Sequence, residues 1–414
     1  MMMIGSESGL VSAILAFLRS VVPVLLLLAV SRRLWSLRWS AARDKACALP
    51  LPEGSMGWPL IGETFHWLFQ GSSFHISRRE KHGNVFKTHL LGKPVIRVTG
   101  AENIRKILLG EHTLVSTQWP QSTRIILGPN TLVNSVSELH KKKRKILAKV
   151  FSQAALESYL TRLQDVVKGE ISKWCTEAGP VEVYTATRSL TFRIAVRVLL
   201  GLKLEERRIT HLSKTFEQLM NNLFSLPVDA PLSGLRKGKK ARDILHAEME
   251  NIIKEKLKKQ NTDEYCDAFD YMLSAAKEND YNLTMQELKG YQIPKGWSVM
   301  YSIRDTHETS SAYTSPELFD PERFTPDRDE SKTSRFSYVP FGGGVRRCIG
   351  RELALLMLKT LSVELLATSE WTLATETYPS MQTVPIVHPV NGLHVHFKYR
   401  NHSGGRNHRE CTHI

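Results

Sequence analysis

The stretch Pro340 to Leu353, PFGGGVRRCIGREL, constrains this chain more than any other. Its three consecutive glycines lack Cβ atoms, so the backbone can lie flat against something wide. Two arginines and a single cysteine follow. An apolar run then predicts a buried helix over Ile349–Ser369, apolar on most faces through Leu353, Leu355, Leu356, Met357, Leu358, Leu361, Leu365 and Leu366. A cysteine in the first turn of that helix feels the positive end of the helix dipole, which favours thiolate over thiol. Arg346 and Arg347 add to that field. A rigid helix presenting a thiolate beneath a flat object is what an axial haem ligand requires, with Cys348 on the iron and Arg346 on a propionate. Two other readings stand beside it. The turn could cradle a phosphate, although the lysine and Ser/Thr of a P-loop are missing. The cysteine could also be a small buried hydrophobe, the usual fate of a single Cys. The spacing F-x-x-G-x-R-x-C-x-G (Phe341, Gly344, Arg346, Cys348, Gly350) fixes five of ten positions and favours haem.

The rest of the chain sets the context. Its 414 residues suffice for one large domain or two ordinary ones. The five cysteines are scattered and odd in number, which argues against a disulfide framework or a zinc site and for a reducing compartment. A net charge of +15 points to an anionic partner such as nucleic acid, a phospholipid surface or an acidic protein. Gly9 to Val30, GLVSAILAFLRSVVPVLLLLAV, has the length of a membrane span. Its fourteen Leu, Ile, Val or Phe residues favour insertion by about 4–8 kcal/mol, and Arg19 costs about 2.5–3.5 kcal/mol unless it snorkels. Arg32, Arg33, Arg38, Arg43 and Lys45 follow, with Trp35 and Trp39 as interfacial anchors, so the positive-inside bias puts the body in the cytosol. A secretory signal cleaved at Ala46–Ala48 fits less well, because the basic flank follows the apolar run.

The expected layout is an anchor with basic flank over 1–48, a Pro/Gly hinge over 49–62, a catalytic body over 63–400 and a disordered tail over 401–414. Short alternating runs from Phe65 to Gly100 predict a small sheet. The pattern from Ala101 to about Lys289 is mostly helical.

Phe341, Gly344, Arg346, Cys348 and Gly350 match the haem-binding signature of the cytochrome P-450 monooxygenases, which the chain resembles. Pro321-Glu322-Arg323-Phe324 resembles that family's PERF segment, and Tyr291–His307 the hairpin before it. Segments such as GSMGWPLIGETFHWL, STQWPQSTRIILGPNTL and IPKGWSVMYSIRDTHET look like the family 26 branch, the retinoic acid hydroxylases. MQTVPIVHPVNGL and FEQLMNNLFSLP look most like subfamily C. The resemblance implies a mainly α fold with small β-sheets and haem b bound through Cys348. It implies ring hydroxylation of all-trans retinoic acid, using O2 and electrons from an NADPH-dependent flavoprotein reductase. It also implies residence in the endoplasmic reticulum membrane.

By the same resemblance, His140 and Arg144 reach haem propionates, and their i,i+4 spacing puts both on one helix face. Lys141, Lys142, Lys143, Arg347 and Arg351 are candidates for a reductase-facing surface. KKKRK as a nuclear signal or nucleic-acid patch is disfavoured, since the anchor already explains location and no base-reading motif accompanies it. Trp119 and Phe224 would line the substrate pocket, and Arg97 is a candidate for the retinoate carboxylate.

Two landmarks of the family are missing. NLTMQELKGYQIPKGW passes from the lead-in of the central oxygen-activating helix, Gln286–Lys289, to the hairpin from Gly290 that should follow an E-x-x-R helix. Glu102–Arg105 and Glu205–Arg208 match E-x-x-R only as strings, far upstream. Arg323 is therefore expected to lose its partners, the fold to be incomplete near 289/290, and apolar surface to be exposed. The chain then reads as a shortened, catalytically impaired isoform, at most a haem- or retinoid-binding protein, or a product removed by quality control.

Overall fold

The computed structural model describes residues 4–202, 204–258, 293–333, 336–382 and 387–400. The 289/290 junction and the tail from 401 lie outside them. The described residues are mostly helical with small sheets and divide into two compact units. One draws on the chain up to Val115 and the later segment ending at Arg347. The other draws on the segment from Ser116 and the chain from Cys348 onward.

In the first unit, α1 (Ile4–Ser40) is one continuous helix with Pro23 inside it. Its stretch Arg19–Ser40 is long and apolar enough to cross a membrane, with mean hydropathy 1.5 and none of it buried. At 1.5 Å per residue the 37-residue helix is about 55 Å long, well beyond a hydrocarbon core. Trp35 and Trp39 are not only free anchors. Trp35 Nε1 donates to the Met56 carbonyl at 3.1 Å, and Trp39 packs edge-on against Trp297 with centroids 5.6 Å apart. The expected hinge is likewise tied down. The Lys87 amide donates to Glu53 O, and a Cβ on Gly54 would sit 2.1 Å from Lys87 O, so only glycine allows this approach.

Helices α2 (Thr64–Gln70) and α3 (Ser72–His82) precede a hairpin of β1 (Val85–Leu90) and β2 (Lys93–Val98), paired Val85↔Val98 through Leu90↔Lys93. Helix α4 (Ala101–Leu109) follows, burying Ile104, Ile107 and Leu108.

The second unit begins with α5 (Gln121–Leu127), α6 (Ser137–Ala148) and α7 (Gln153–Thr176). Helix α7 starts where Ser152 Oγ accepts the Ala155 amide, satisfying one orphan donor. Tyr159, Leu163, Val166, Val167, Ile171 and Trp174 form its buried stripe, each stabilising the fold by roughly 1.5–3 kcal/mol. A two-residue strand β3 (Val181–Glu182) leads into α8 (Val183–Ile194), a π turn over Ala195–Leu199, α9 (Glu206–Asn222) and α10 (Gly234–Lys258).

Back in the first unit, β4 (Ser298–Tyr301) pairs parallel to β2, and α11 (Ile303–Glu308) follows. In the second unit, α12 (Arg351–Thr368) packs on α7 through Leu353, Met357, Leu361 and Leu365. The chain then adds β5 (Ser369–Leu373), the β6 (Met381–Gln382) and β7 (His388–Pro389) pair, and β8 (His394–Tyr399), which lies between β3 and β5.

Helix α12 is not buried as its composition suggests. Leu358, Val363 and Leu366 are 58%, 63% and 55% exposed, because only the face toward α7 has a partner among the described residues.

Candidate active site

Cys348 has an exposed, unoxidised thiol. It lies three residues before α12 instead of in its first turn, because the helix starts at Arg351 behind the N-cap Gly350. A Cβ on Gly350 would sit 3.9 Å from the Phe151 ring. The glycine run ahead of it is used differently from the expectation. A Cβ on Gly344, at φ +62°, would meet Leu108 O at 2.0 Å, and one on Gly343 would meet Phe336 Cε1 at 2.8 Å. These two positions therefore let the loop press onto the end of α4. Gly342, with nothing within 4 Å, keeps an open face, and Phe341 is half-buried.

Arg346 meets a carboxylate of the chain itself. Its Nε donates to Glu111 Oε1 at 2.8 Å, with the two side chains only 15% and 9% exposed. Glu111 follows α4, the helix the 344–346 turn packs against, so the fold itself delivers a carboxylate to this guanidinium. Glu111 also lies 3.6 Å from His112 Nδ1. No local pattern marks Glu111, because its partner is 235 residues away.

His140 and Arg144 share α6, as their spacing requires; His140 is buried and Arg144 half-buried. The basic run beside them is partly engaged. Lys141 pairs with Glu138 at 2.7 Å, and Lys143 donates to Asn130 O and to Ser135 Oγ. Lys142 and Arg347 are exposed, while Arg351 pairs with its neighbour Glu352.

Trp119 and Phe224 are brought together, with ring centroids 6.4 Å apart and planes tilted by 40°. Two residues that sequence reasoning passed over set this up. Ser122 and Thr123 are buried, and both hydroxyls donate to Leu223 O, at 2.9 and 2.7 Å. They fix the residue next to Phe224 one turn after Trp119. The Q-S-T triplet after Pro120 was their only signal.

Arg97 is buried and already holds a carboxylate, Asp305, at 3.1 Å from Nη2. Its Nε has no hydrogen-bond partner among the described residues. Burial lowers its pKa, and Asp305 opposes that shift. Nearby His75 is held down to about 3, first by burial and then by the Arg97 charge.

Arg323 is partnered here by groups other than an E-x-x-R pair. It is buried and bonds Glu330 Oε2 at 2.8 Å and the carbonyls of Thr314, Ser315 and Leu318 at 3.1–3.3 Å. The next 3-10 turn, Glu330–Lys332, supplies the carboxylate. The displaced E-x-x-R strings do nothing comparable. Arg105 meets Glu102 in an exposed pair, and Arg208 bonds Glu248.

An exposed thiol is a soft, anionic-capable donor, and it fits a haem iron. His140 and Arg144 on one helix face are suited to carboxylates of such a group. Arg346 would bring to that role a guanidinium that also meets Glu111. A loop of this kind, ahead of an apolar helix in a mostly helical fold, has its use in haem-thiolate proteins.

The comparisons carry that class to a family. The family model Cytochrome P450 matches residues 52–290 and 282–396. Cytochrome P450 26C1 of Homo sapiens is 46% identical over 485 positions, covering 90% of this chain and 93% of that protein. Cytochrome P450 26B1 of Danio rerio is 44% identical over 489 positions, covering 95% and 96%. Among solved structures, a retinoic acid bound cyanobacterial CYP120A1 superposes with TM-score 0.74 at 30% identity, covering 85% of this chain and all of that one. The chain belongs to the cytochrome P450 family, whose members are haem-dependent monooxygenases.

Proposed function

We propose that this chain descends from the retinoic acid hydroxylases and acts on all-trans retinoic acid where it retains activity. The observation that carries this is identity of 44–46% to 26B1 and 26C1 proteins across at least nine-tenths of both chains. The retinoic acid bound neighbour supports the same substrate class. When bound, haem would supply oxygen activation and electron transfer. The residues of this chain do the rest. Cys348 would ligate the iron, with Phe341, Gly344 and Gly350 shaping its loop, and His140, Arg144 and Arg346 would hold propionates. Trp119 and Phe224 offer apolar rings to a polyene. The spare Nε of Arg97 is a donor for a carboxylate.

α1 would anchor the chain in the endoplasmic reticulum membrane with its body in the cytosol. Lys142 and Arg347 would face an acidic NADPH-dependent reductase.

A second reading is favoured by the alignment itself. The zebrafish alignment has 489 positions, but 95% of the 414 residues here is about 393, so about 96 positions have no counterpart in this chain. The two family-model matches meet at 282–290. The gap at that point would take out the central helix and the E-x-x-R helix, leaving a binder of haem or retinoid. A reduced, carbon monoxide-treated sample tests both readings. The red-shifted thiolate Soret band is expected, and its absence overturns the haem assignment. With the band present, product formation from retinoic acid with reductase and NADPH separates enzyme from binder.

A further inference from the structure

In the first unit, Trp58 faces one side of α1 and forms with it an open groove of about 430 Å³. The groove changes character along its length. Leu25, Leu28 and Ala29 line one end, and Arg32, Arg33 and Ser36 line the other. From Leu25 to Ser36 the helix rises about 16 Å. The polar end is held in shape. The Arg32 guanidinium lies over the Trp58 ring at 5.4 Å from its centroid, and the bond from Trp35 Nε1 to Met56 O, two residues before Trp58, fixes the loop to α1. Among the described residues no carboxylate lines the groove, so two guanidinium groups and a hydroxyl face it without a counter-charge from that lining.

From this geometry we infer that the groove binds one glycerophospholipid of net negative headgroup. Its acyl chain lies along Leu25 and Leu28, and its phosphate meets Arg32, Arg33 and Ser36. The polarity gradient matches that of the ligand. Arginine suits a phosphate because its planar fork donates two parallel bonds. Tryptophan suits the boundary, with an apolar ring and one polar edge. The site rests on α1 being a membrane anchor, and it concerns neither haem nor retinoid.

The test uses the full chain in nanodiscs containing phosphatidylserine or phosphatidylcholine with brominated acyl chains, at equal mole fraction. Bromine quenches nearby tryptophan fluorescence. Quenching by the serine lipid should exceed that by the choline lipid, reflecting a site enrichment of about 5- to 30-fold for one or two arginines near an anionic surface. The pair Arg32→Gln/Arg33→Gln should bring the two lipids level. The pair Arg43→Gln/Lys45→Gln removes the same charge outside the groove and should leave the difference intact. Equal quenching of the unaltered chain, or equal loss in both pairs, overturns the site. Loss of the difference on adding soluble glycerophosphoserine overturns the lipid in favour of a phosphate site. No quenching by either lipid overturns the anchor itself, and is thereby told apart from failure of the groove alone.

Discussion

Replacing Glu111 with Gln should tighten haem binding. The Arg346 guanidinium is held at 2.8 Å by Glu111, with side chains 15% and 9% exposed. An exposed ion pair would contribute about 0–1 kcal/mol. This one is largely screened from water, so the charge-assisted bond falls nearer 1.5–3 kcal/mol. A propionate at Arg346 would compete with Glu111 for that charge. Glu111→Gln keeps the shape and removes the competing charge. Haem affinity, read by titrating haem into purified chain and following the Soret absorbance, should therefore rise about 10- to 100-fold. The haem-free variant should melt at lower temperature, because a shielded guanidinium loses its counter-charge. Arg346→Gln in the same background should erase the gain. Unchanged or weaker affinity in a folded Glu111→Gln variant would refute the view that Glu111 and a propionate compete for one guanidinium.

Other expectations follow from the same structure. Cys348→Ser should abolish the red-shifted carbon monoxide band while shifting stability by only about 0.5 kcal/mol, since the side chain is exposed; thermal melts check the second half. Glu330→Ala should lower the urea unfolding midpoint, because Arg323 stays buried without its carboxylate. His75 makes stability fall in acid. The unfolded chain binds a proton near pH 6.5, whereas the folded side chain stays neutral down to about 3. Between those values the unfolded state holds more protons, so stability drops by about 1.4 kcal/mol per pH unit, or about 2 kcal/mol at pH 5. His75→Gln should remove that difference between urea unfolding at pH 7 and pH 5, and its persistence would refute the assignment. The pair Ser122→Ala/Thr123→Val should loosen the hold on Phe224 and weaken retinoid binding, measured by ligand titration, with the Soret band unaltered.

The candidate loop and helix pair were legible as patterns because their residues are close in sequence. Phe341, Gly344, Arg346, Cys348 and Gly350 lie within ten residues, and His140 and Arg144 are one helical turn apart. The pattern of α7 and the β1–β2 hairpin was readable for the same reason. The start of α12 was misplaced by two residues, since an apolar run does not show where the N-cap falls. Its burial was overestimated, because composition shows that a face is apolar and not that anything covers it.

The sequence by itself determined the family, the thiol and the apolar N-terminal helix. Each depends on residue identity and on spacing along a few turns of chain. Tertiary structure decided which charges meet. It gave Arg346 to Glu111, Arg97 to Asp305 and Arg323 to Glu330, and it docked Trp35 and Trp39 onto the body of their unit. A buried guanidinium must be paired, but which carboxylate pairs it is set by packing between elements. For Arg97 and Arg346 that partner lies more than two hundred residues away.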